Sequence, residues 1–365
     1  VRSKEIILAG ITTVLIGGVL GQRIWERYEN RVLKSRVIRA GVITSYPKDV
    51  VLPQTVTIVA TPTMGVEKQK VVISFDGSKS LEMWEETMEL AREIRKKGAK
   101  ANFTYFISGV YLLPYERRME YYPPRAKPGE SKIGFGEDEE EVKRRVELIE
   151  KAAAEGHEIG SHLNGHFSGS NWSEIDWKQE LDEFDKLVNI SGLKLNKTET
   201  MGIRVPNLGR NEELYRALSQ KGYSYDVSGV GKETKPTLDQ NGVWRIEIPS
   251  VNLAGTKKYP LSMDYNLYVE QSGAREVAKK GSKQWGNYYN QVVKSYQNYF
   301  NLNYQGTRQP VLFSHHFSKW NDGVYWEALK TTAREICGKA EVECISFREL
   351  VSSAKEKQGK INYER

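Results

Sequence analysis

The chain holds five histidines, and they fall in two places. His157, His162 and His166 lie in GHEIGSHLNGH, while His315 and His316 end the run VLFSHH. His162 and His166 are four residues apart, so they share one face if the chain turns helical after the strand. That spacing suits two imidazoles on one divalent ion, with chance surface placement as the competing explanation. His157, at the entrance of the same strand, reads as structural. His315 and His316 are neighbours in an extended run and point to opposite sides, so at most one of them faces a site directly. A carboxylate comes from VVISFDGSKS, residues 71–80, where a strand-forming run delivers Asp76 to a Gly-Ser loop. By itself an Asp-Gly after a strand is an ordinary turn. Its meaning depends on what the fold brings beside it.

The elements that would position these residues alternate in type. SLEMWEETMELAREIRKK, residues 80–97, places Leu81, Trp84, Met88 and Ala91 at helical spacing, with lysines in the last turn and Gly98 as the stop. A strand follows over Ala101–Phe106, and a long Tyr-, Pro- and Gly-rich segment over 111–136 reads as a lid or a substrate wall. Helices are expected over 139–155, around 177–188 and over 211–221. Strands are expected at HEIGSH, 199–205, 224–227, 243–248, 311–314 and 342–346, with a closing helix after the last. Strands alternating with helices argue a parallel α/β sheet or barrel, in which chemistry collects at the C-terminal strand ends.

Taken in order, SFDGS, GSHLNGH, GIRVPNLG and VLFSHHF resemble the NodB-type polysaccharide deacetylases, carbohydrate esterase family 4. The resemblance spans residues 70–352 and leans to the chitin-deacetylase-like members through Trp285–Trp320. It implies a distorted (β/α) barrel and a divalent metal, usually zinc, serving removal of acetyl groups from sugars of a polysaccharide. Carried onto this chain, Asp76 matches the general base, and His162 and His166 match the metal-binding histidines. Arg204 and Pro206 match an arginine-x-proline motif whose arginine orients the base. Asn207 takes the position whose backbone N–H helps hold the oxyanion, where the family more often has an aromatic. Asp226 and Trp244 match a later supporting motif. His315 fits the final acid position through Phe313-Ser314-His315, and His316 fits if the register shifts by one.

The chain departs from the pattern at one position. The family reads Phe-Asp-Asp-Gly with the second aspartate on the metal, whereas this chain reads Phe75-Asp76-Gly77. Three readings follow: a metal on His162 and His166 with a substitute ligand or water, a metal-independent site, or a degenerate scaffold that binds carbohydrate without turning it over. Loss of an anionic ligand weakens zinc binding in any case.

The remaining sequence sets the context. With 365 residues and 39% hydrophobic content the chain can bury a large core. Its net charge of +7 is concentrated in residues 1–39, which hold eight Lys/Arg against three Glu. No basic stripe interleaved with aromatics is left elsewhere, which argues against nucleic acid. Ile6–Gly21 is an uncharged apolar run behind Arg2 and Lys4 that reads as a signal anchor on a membrane, with a buried helix as the alternative. Cys337 and Cys344 flank a helix-to-strand turn and suit either a disulfide or two buried thiols. With the apolar run they favour an extracytoplasmic, membrane-anchored enzyme. The six Lys/Arg that follow the run oppose this, since positive charge stays on the cytoplasmic side. The expected organisation is an anchor and charged helix over 1–39, an extended lead-in over 40–69, the barrel over 70–352 and a polar tail over 353–365.

Overall fold

The structure, a computed structural model, describes residues 67–195 and 201–363, with side chains through residue 359. The anchor and nearly all of the lead-in lie outside the described residues. Among the described residues no helix is long and apolar enough to cross a membrane.

The centre is β1 (Gln69–Gly77), a strand apolar on both faces and therefore buried on both. β2 (Thr104–Ile107), β3 (Glu158–Ser161), β4 (Gly202–Ile203), β5 (Tyr225–Val230) and β7 (Trp244–Ile248) run parallel to it on one side. β8 (Val311–His316) pairs with β1 on the other side, and β9 (Val342–Ile345) pairs with the first half of β1. A short β6 (Thr237–Leu238) adds an antiparallel edge to β7. The sheet curls into an incomplete barrel. Its open side is spanned by isolated bridges, Ser250 to Leu261 and Met263 to Ser314.

Helices cover the outside: α1 (Leu81–Lys96), α2 (Glu139–Ala154), α3 (Glu174–Ser191), α4 (Glu212–Gln220), α5 (Asp264–Ser272), α6 (Lys283–Tyr304) and α7 (Trp320–Cys337). Ser80, Asp138, Ser173, Asn211 and Ser282 cap five of them with side-chain oxygens on backbone N–H groups. α8 (Phe347–Tyr363) closes the chain, so the expected polar tail continues as this helix through Tyr363. Cys337 and Cys344 form a disulfide joining the end of α7 to β9, with Cα atoms 5.6 Å apart.

Strand alternation sorts side chains between two cores. Val71, Ile73 and Phe75 of β1 and Val311 and Phe313 of β8 point outward to the helices, packing with Trp84 and Met88. Val72, Leu312, Phe106, Tyr225 and Ile246 point inward and meet Phe347 and Leu350 of α8, which plugs the barrel. Inside the barrel Glu158, Thr104 and the first turn of α8 are joined: Thr104 Oγ1 accepts from Phe347 N, and Glu158 Oε2 accepts from Arg348 N at 2.8 Å. The long segment after β2 packs against α3. It forms two 3₁₀ turns and buries Tyr111, Tyr121 and Phe135 against Leu187 of α3.

Candidate active site

Arg204, directly after β4, is fully buried and reaches in three directions. Its Nη1 donates to Asp76 Oδ1 at 2.8 Å, its Nη2 to Ser74 Oγ at 3.0 Å, and its Nε to the Val227 carbonyl at 3.4 Å. The guanidinium lies over Phe106 at 4.6 Å and Phe347 at 5.6 Å, so the plug supplies an aromatic floor. Its own carbonyl accepts from His162 Nδ1 at 2.7 Å. One residue therefore positions both the carboxylate and the first imidazole. Removing it would leave Asp76 as a buried, unpaired charge, a loss of about 3–5 kcal/mol for pairs of this kind.

His162 sits just past β3, and burial holds its pKa down at about 4 against the opposing pull of Asp76. The segment to His166 is not the helical turn that the four-residue spacing suggested. Leu163 (φ +56°) and His166 (φ +59°) take left-handed backbone, which folds the loop tightly and sets the two rings 5.3 Å apart. What holds this loop is Glu180 of α3, a residue with no signature in the motifs. Its carboxylate accepts from Asn164 N at 3.1 Å and from the Tyr121 hydroxyl at 3.0 Å, while the Tyr121 oxygen accepts from Gly165 N at 3.1 Å. Burial pushes Glu180 up to about 8.

The two C-terminal histidines of β8 part company. His316 is the register partner of Asp76 and His315 that of Phe75, so His316 points inward and His315 outward. His315 is buried against α6, with its Nε2 2.8 Å from the Tyr296 hydroxyl, and burial lowers its pKa to about 4. Alternation turns His315 away from Asp76, although its Nδ1 lies 3.5 Å from Asp264 Oδ2, and leaves His316, the other candidate for the acid, on the face of Asp76. His316 donates its backbone N–H and its Nδ1 to the buried Asp264, at 2.9 and 2.7 Å. Burial works against its charge, but Asp264 and Asp76 outweigh it and raise the His316 pKa above the ordinary 6.5. Asp264, first residue of α5, is the second functional candidate that the motifs did not mark.

The turn after Asp76 is strained. Gly77 has φ +102° and Ser78 φ +100°, and for a non-glycine residue such a conformation costs about 1–3 kcal/mol. Neighbours hold it in place. The Ser78 carbonyl accepts from Trp84 Nε1 and Arg145 Nε, and the buried Arg145 also donates to the Lys79 and Tyr111 carbonyls.

The other motif residues follow Arg204 or lie on the neighbouring strands. Pro206 is buried at the start of a 3₁₀ turn, and Asn207 is exposed beside it with φ +56°. Asp226 faces outward from β5, accepting from Tyr215 and Ser228, and Ser228 Oγ in turn accepts from Val205 N at 2.7 Å. It braces the backbone next to Arg204 and does not reach the guanidinium's Asp76 pair. Trp244 is buried in the inner core. His157 accepts from Phe103 N through Nδ1, a structural bond.

Two of these residues fit a divalent ion. With Nδ1 donating to a carbonyl, neutral His162 presents the bare lone pair of Nε2, the form a metal requires. Two imidazoles on one tetrahedral ion, at about 2.0–2.1 Å each, stand roughly 5 Å apart, which the pair of rings matches. No third His, Cys, Asp or Glu completes a ligand group among the described residues.

No protein-family model and no curated protein matches the chain. Solved structures do. A protein assigned as a polysaccharide deacetylase from Mycobacterium smegmatis aligns with a TM-score of 0.54 at 14% identity, covering 80% of this chain and 93% of that one. The peptidoglycan deacetylase PdaC from Bacillus subtilis aligns at 0.41 and 12% identity, over 81% and 96% of the two chains. A CE4 family pseudoenzyme from Bacillus anthracis aligns at 0.41 and 10%, over 78% and 66%. The first of these shows the class: the chain has the polysaccharide-deacetylase fold, an α/β architecture with a curled, incomplete barrel.

Proposed function

We propose that the chain is a carbohydrate esterase family 4 hydrolase that removes acetyl groups from N-acetylated sugars of a polysaccharide. The observation that carries this reading is the arrangement around Arg204, which ties Asp76 to His162 while His316 stands in register with Asp76 on the neighbouring strand. Deacetylation needs an activated water, a stabilised oxyanion and a proton for the departing nitrogen. Asp76, held by Arg204, accepts the proton of the attacking water. His316, whose cation Asp264 favours, donates a proton to the sugar nitrogen as the C–N bond breaks and acetate leaves. The Asn207 backbone N–H, on the exposed turn after Pro206, supplies a donor to the oxyanion. A divalent ion on His162 and His166, zinc by resemblance, would add Lewis-acid activation of water and carbonyl.

The disulfide supports an extracytoplasmic location, because such bonds persist in oxidising compartments. A second reading, a carbohydrate-binding protein without turnover, is favoured by one observation: Gly77 stands where the family has its second aspartate, and among the described residues no group of three or more His, Cys, Asp or Glu is placed to hold a metal. Acetate release from acetylated glycans separates the two. Release by the wild type that is abolished in Asp76→Asn establishes the hydrolase. Glycan binding with no acetate released establishes the alternative.

A further inference from the structure

The inward row of β2 runs through Thr104 and Phe106 and continues, just past the strand, to Ser108. Phe106 pairs with Asp76 on one side and with Gly160 on the other. Ile107 pairs with Ser161, and His162 N donates to the Ile107 carbonyl at 2.8 Å. Ser108 and His162 therefore follow as neighbours on one face of the sheet. Ser108 keeps extended backbone, with φ −93° and ψ 121°, which preserves the alternation. Its side chain leaves the sheet on the face of Asp76, between the end of β1 and the first imidazole.

Ser108 is fully buried, and among the described residues its Oγ has no hydrogen-bond partner. The serines around it are engaged. Ser74 Oγ accepts from Arg204, Ser78 Oγ accepts from Ser108 N at 3.4 Å, and Ser161 Oγ accepts from Leu163 N at 3.0 Å. A buried hydroxyl without a partner is uncommon, because leaving water costs free energy that only a new bond offsets. Gly77 stands beside it: its carbonyl accepts from Ser108 N at 3.2 Å, and a Cβ there would meet no heavy atom within 4 Å. An unused oxygen and room for a further atom thus occur together next to His162.

We propose that Ser108 Oγ is the oxygen donor that stands in for the aspartate the family has at position 77, so that His162, His166 and Ser108 together hold a divalent ion. The inference rests on the reading of the two imidazoles as metal ligands, and it does not depend on turnover. A neutral hydroxyl brings no charge to the ion, so this site holds it more loosely than two imidazoles with a carboxylate. The donor comes from β2, the strand between those that carry Asp76 and His162, where the family's pattern places no ligand.

The test compares wild type, Ser108→Ala and Ser108→Cys, with circular dichroism confirming folding. Zinc affinity is measured by competition with a chelator, and cobalt(II) is added to the metal-free proteins as a spectroscopic probe. Cysteine nearly matches serine in shape, and its thiolate is a strong ligand for either ion. A thiolate on cobalt gives a near-ultraviolet charge-transfer band, which a merely structural role of position 108 would not produce. Ser108→Cys is expected to show that band and lose it when His162→Ala is added. Ser108→Ala should bind zinc about tenfold more weakly than the wild type, at least the loss seen for groups that only support a ligand. A folded Ser108→Cys without the band, equal zinc affinity in wild type and Ser108→Ala, or no zinc bound by the wild type overturns the assignment. Acetate release by the wild type is read in parallel. Release without the band removes Ser108 and leaves the deacetylase reading, whereas the band without release keeps the ion site and removes that reading.

Discussion

Asp76 and His316 are register partners on adjacent parallel strands, so their side chains leave the same face of the sheet. His315, one residue earlier, leaves the opposite face and ends against Tyr296. Position along the strand thus decides which imidazole can serve Asp76's chemistry. His316→Ala is expected to lower kcat by about 10²–10⁴-fold, the usual contribution of a general acid. His315→Asn should change kcat less than tenfold while lowering stability by about 1–3 kcal/mol through the orphaned Tyr296 hydroxyl. Steady-state kinetics and denaturant melts on both variants check this. The reverse pattern would return the acid role to His315.

Asp264 makes the second prediction. A general acid works while protonated, so activity falls as pH rises through its pKa. Burial and, more weakly, Arg204 oppose the His316 cation, yet Asp264 and Asp76 raise its pKa above 6.5, which places the alkaline limb of kcat above that value. Asp264→Asn removes the largest of those supports and should move the limb to lower pH. The linkage to stability has the same sign. A raised histidine stabilises the fold below its ordinary value, and the contribution is lost as pH rises through the folded value. A pH–kcat profile whose alkaline limb is identical in wild type and Asp264→Asn would show that another group is the acid.

The strands, most helices and the order of the motif residues were legible because hydrophobic periodicity and caps are local. Ser80–Lys97 marks its own helix, and VVISF marks a strand buried on both faces. The face that each residue of VLFSHH takes was not legible, since Val311, Leu312 and Phe313 are apolar on both sides and give alternation nothing to register against. Asp264 and Glu180 escaped notice for a related reason. Each lies on a helix whose approach to the site depends on how the sheet curls, and neither sits in a run that looks reactive. α6, the longest described helix, was also missed, because Tyr and Asn dominate it where helix formers usually do.

Glu180 carries the third prediction. Burial raises its pKa from 4.5 to about 8, so the folded chain holds a proton there that the unfolded chain releases. Stability is therefore greatest below about pH 4.5 for this group and declines as pH rises toward 8. Glu180→Gln keeps an acceptor for Asn164 N and Tyr121 without the ionisation. Its Tm should fall less than that of the wild type between pH 5 and pH 8. A parallel pH dependence of the two proteins would mean that Glu180 stays ionised throughout.

The final prediction concerns Gly77. A Cβ at this position meets no heavy atom within 4 Å, so an aspartate has room. The backbone is the obstacle: φ +102° is strained for any residue but glycine, at about 1–3 kcal/mol. Ser78 already holds a similar angle under the grip of Arg145 and Trp84, which shows that this turn can carry such strain. Gly77→Asp should lower stability by an amount of that order and raise zinc affinity by supplying the carboxylate that His162 and His166 lack. His162→Ala should abolish zinc retention in both backgrounds. Zinc content after dialysis against a mild chelator, with Tm measured on the same samples, reads out both effects. Should Gly77→Asp retain no more zinc than the wild type while remaining folded, position 77 does not face the imidazole pair, and the wild-type site never depended on a carboxylate there. Should His162→Ala release acetate as fast as the wild type, no metal at this pair drives the reaction, and Asp76 and His316 would have to act without one.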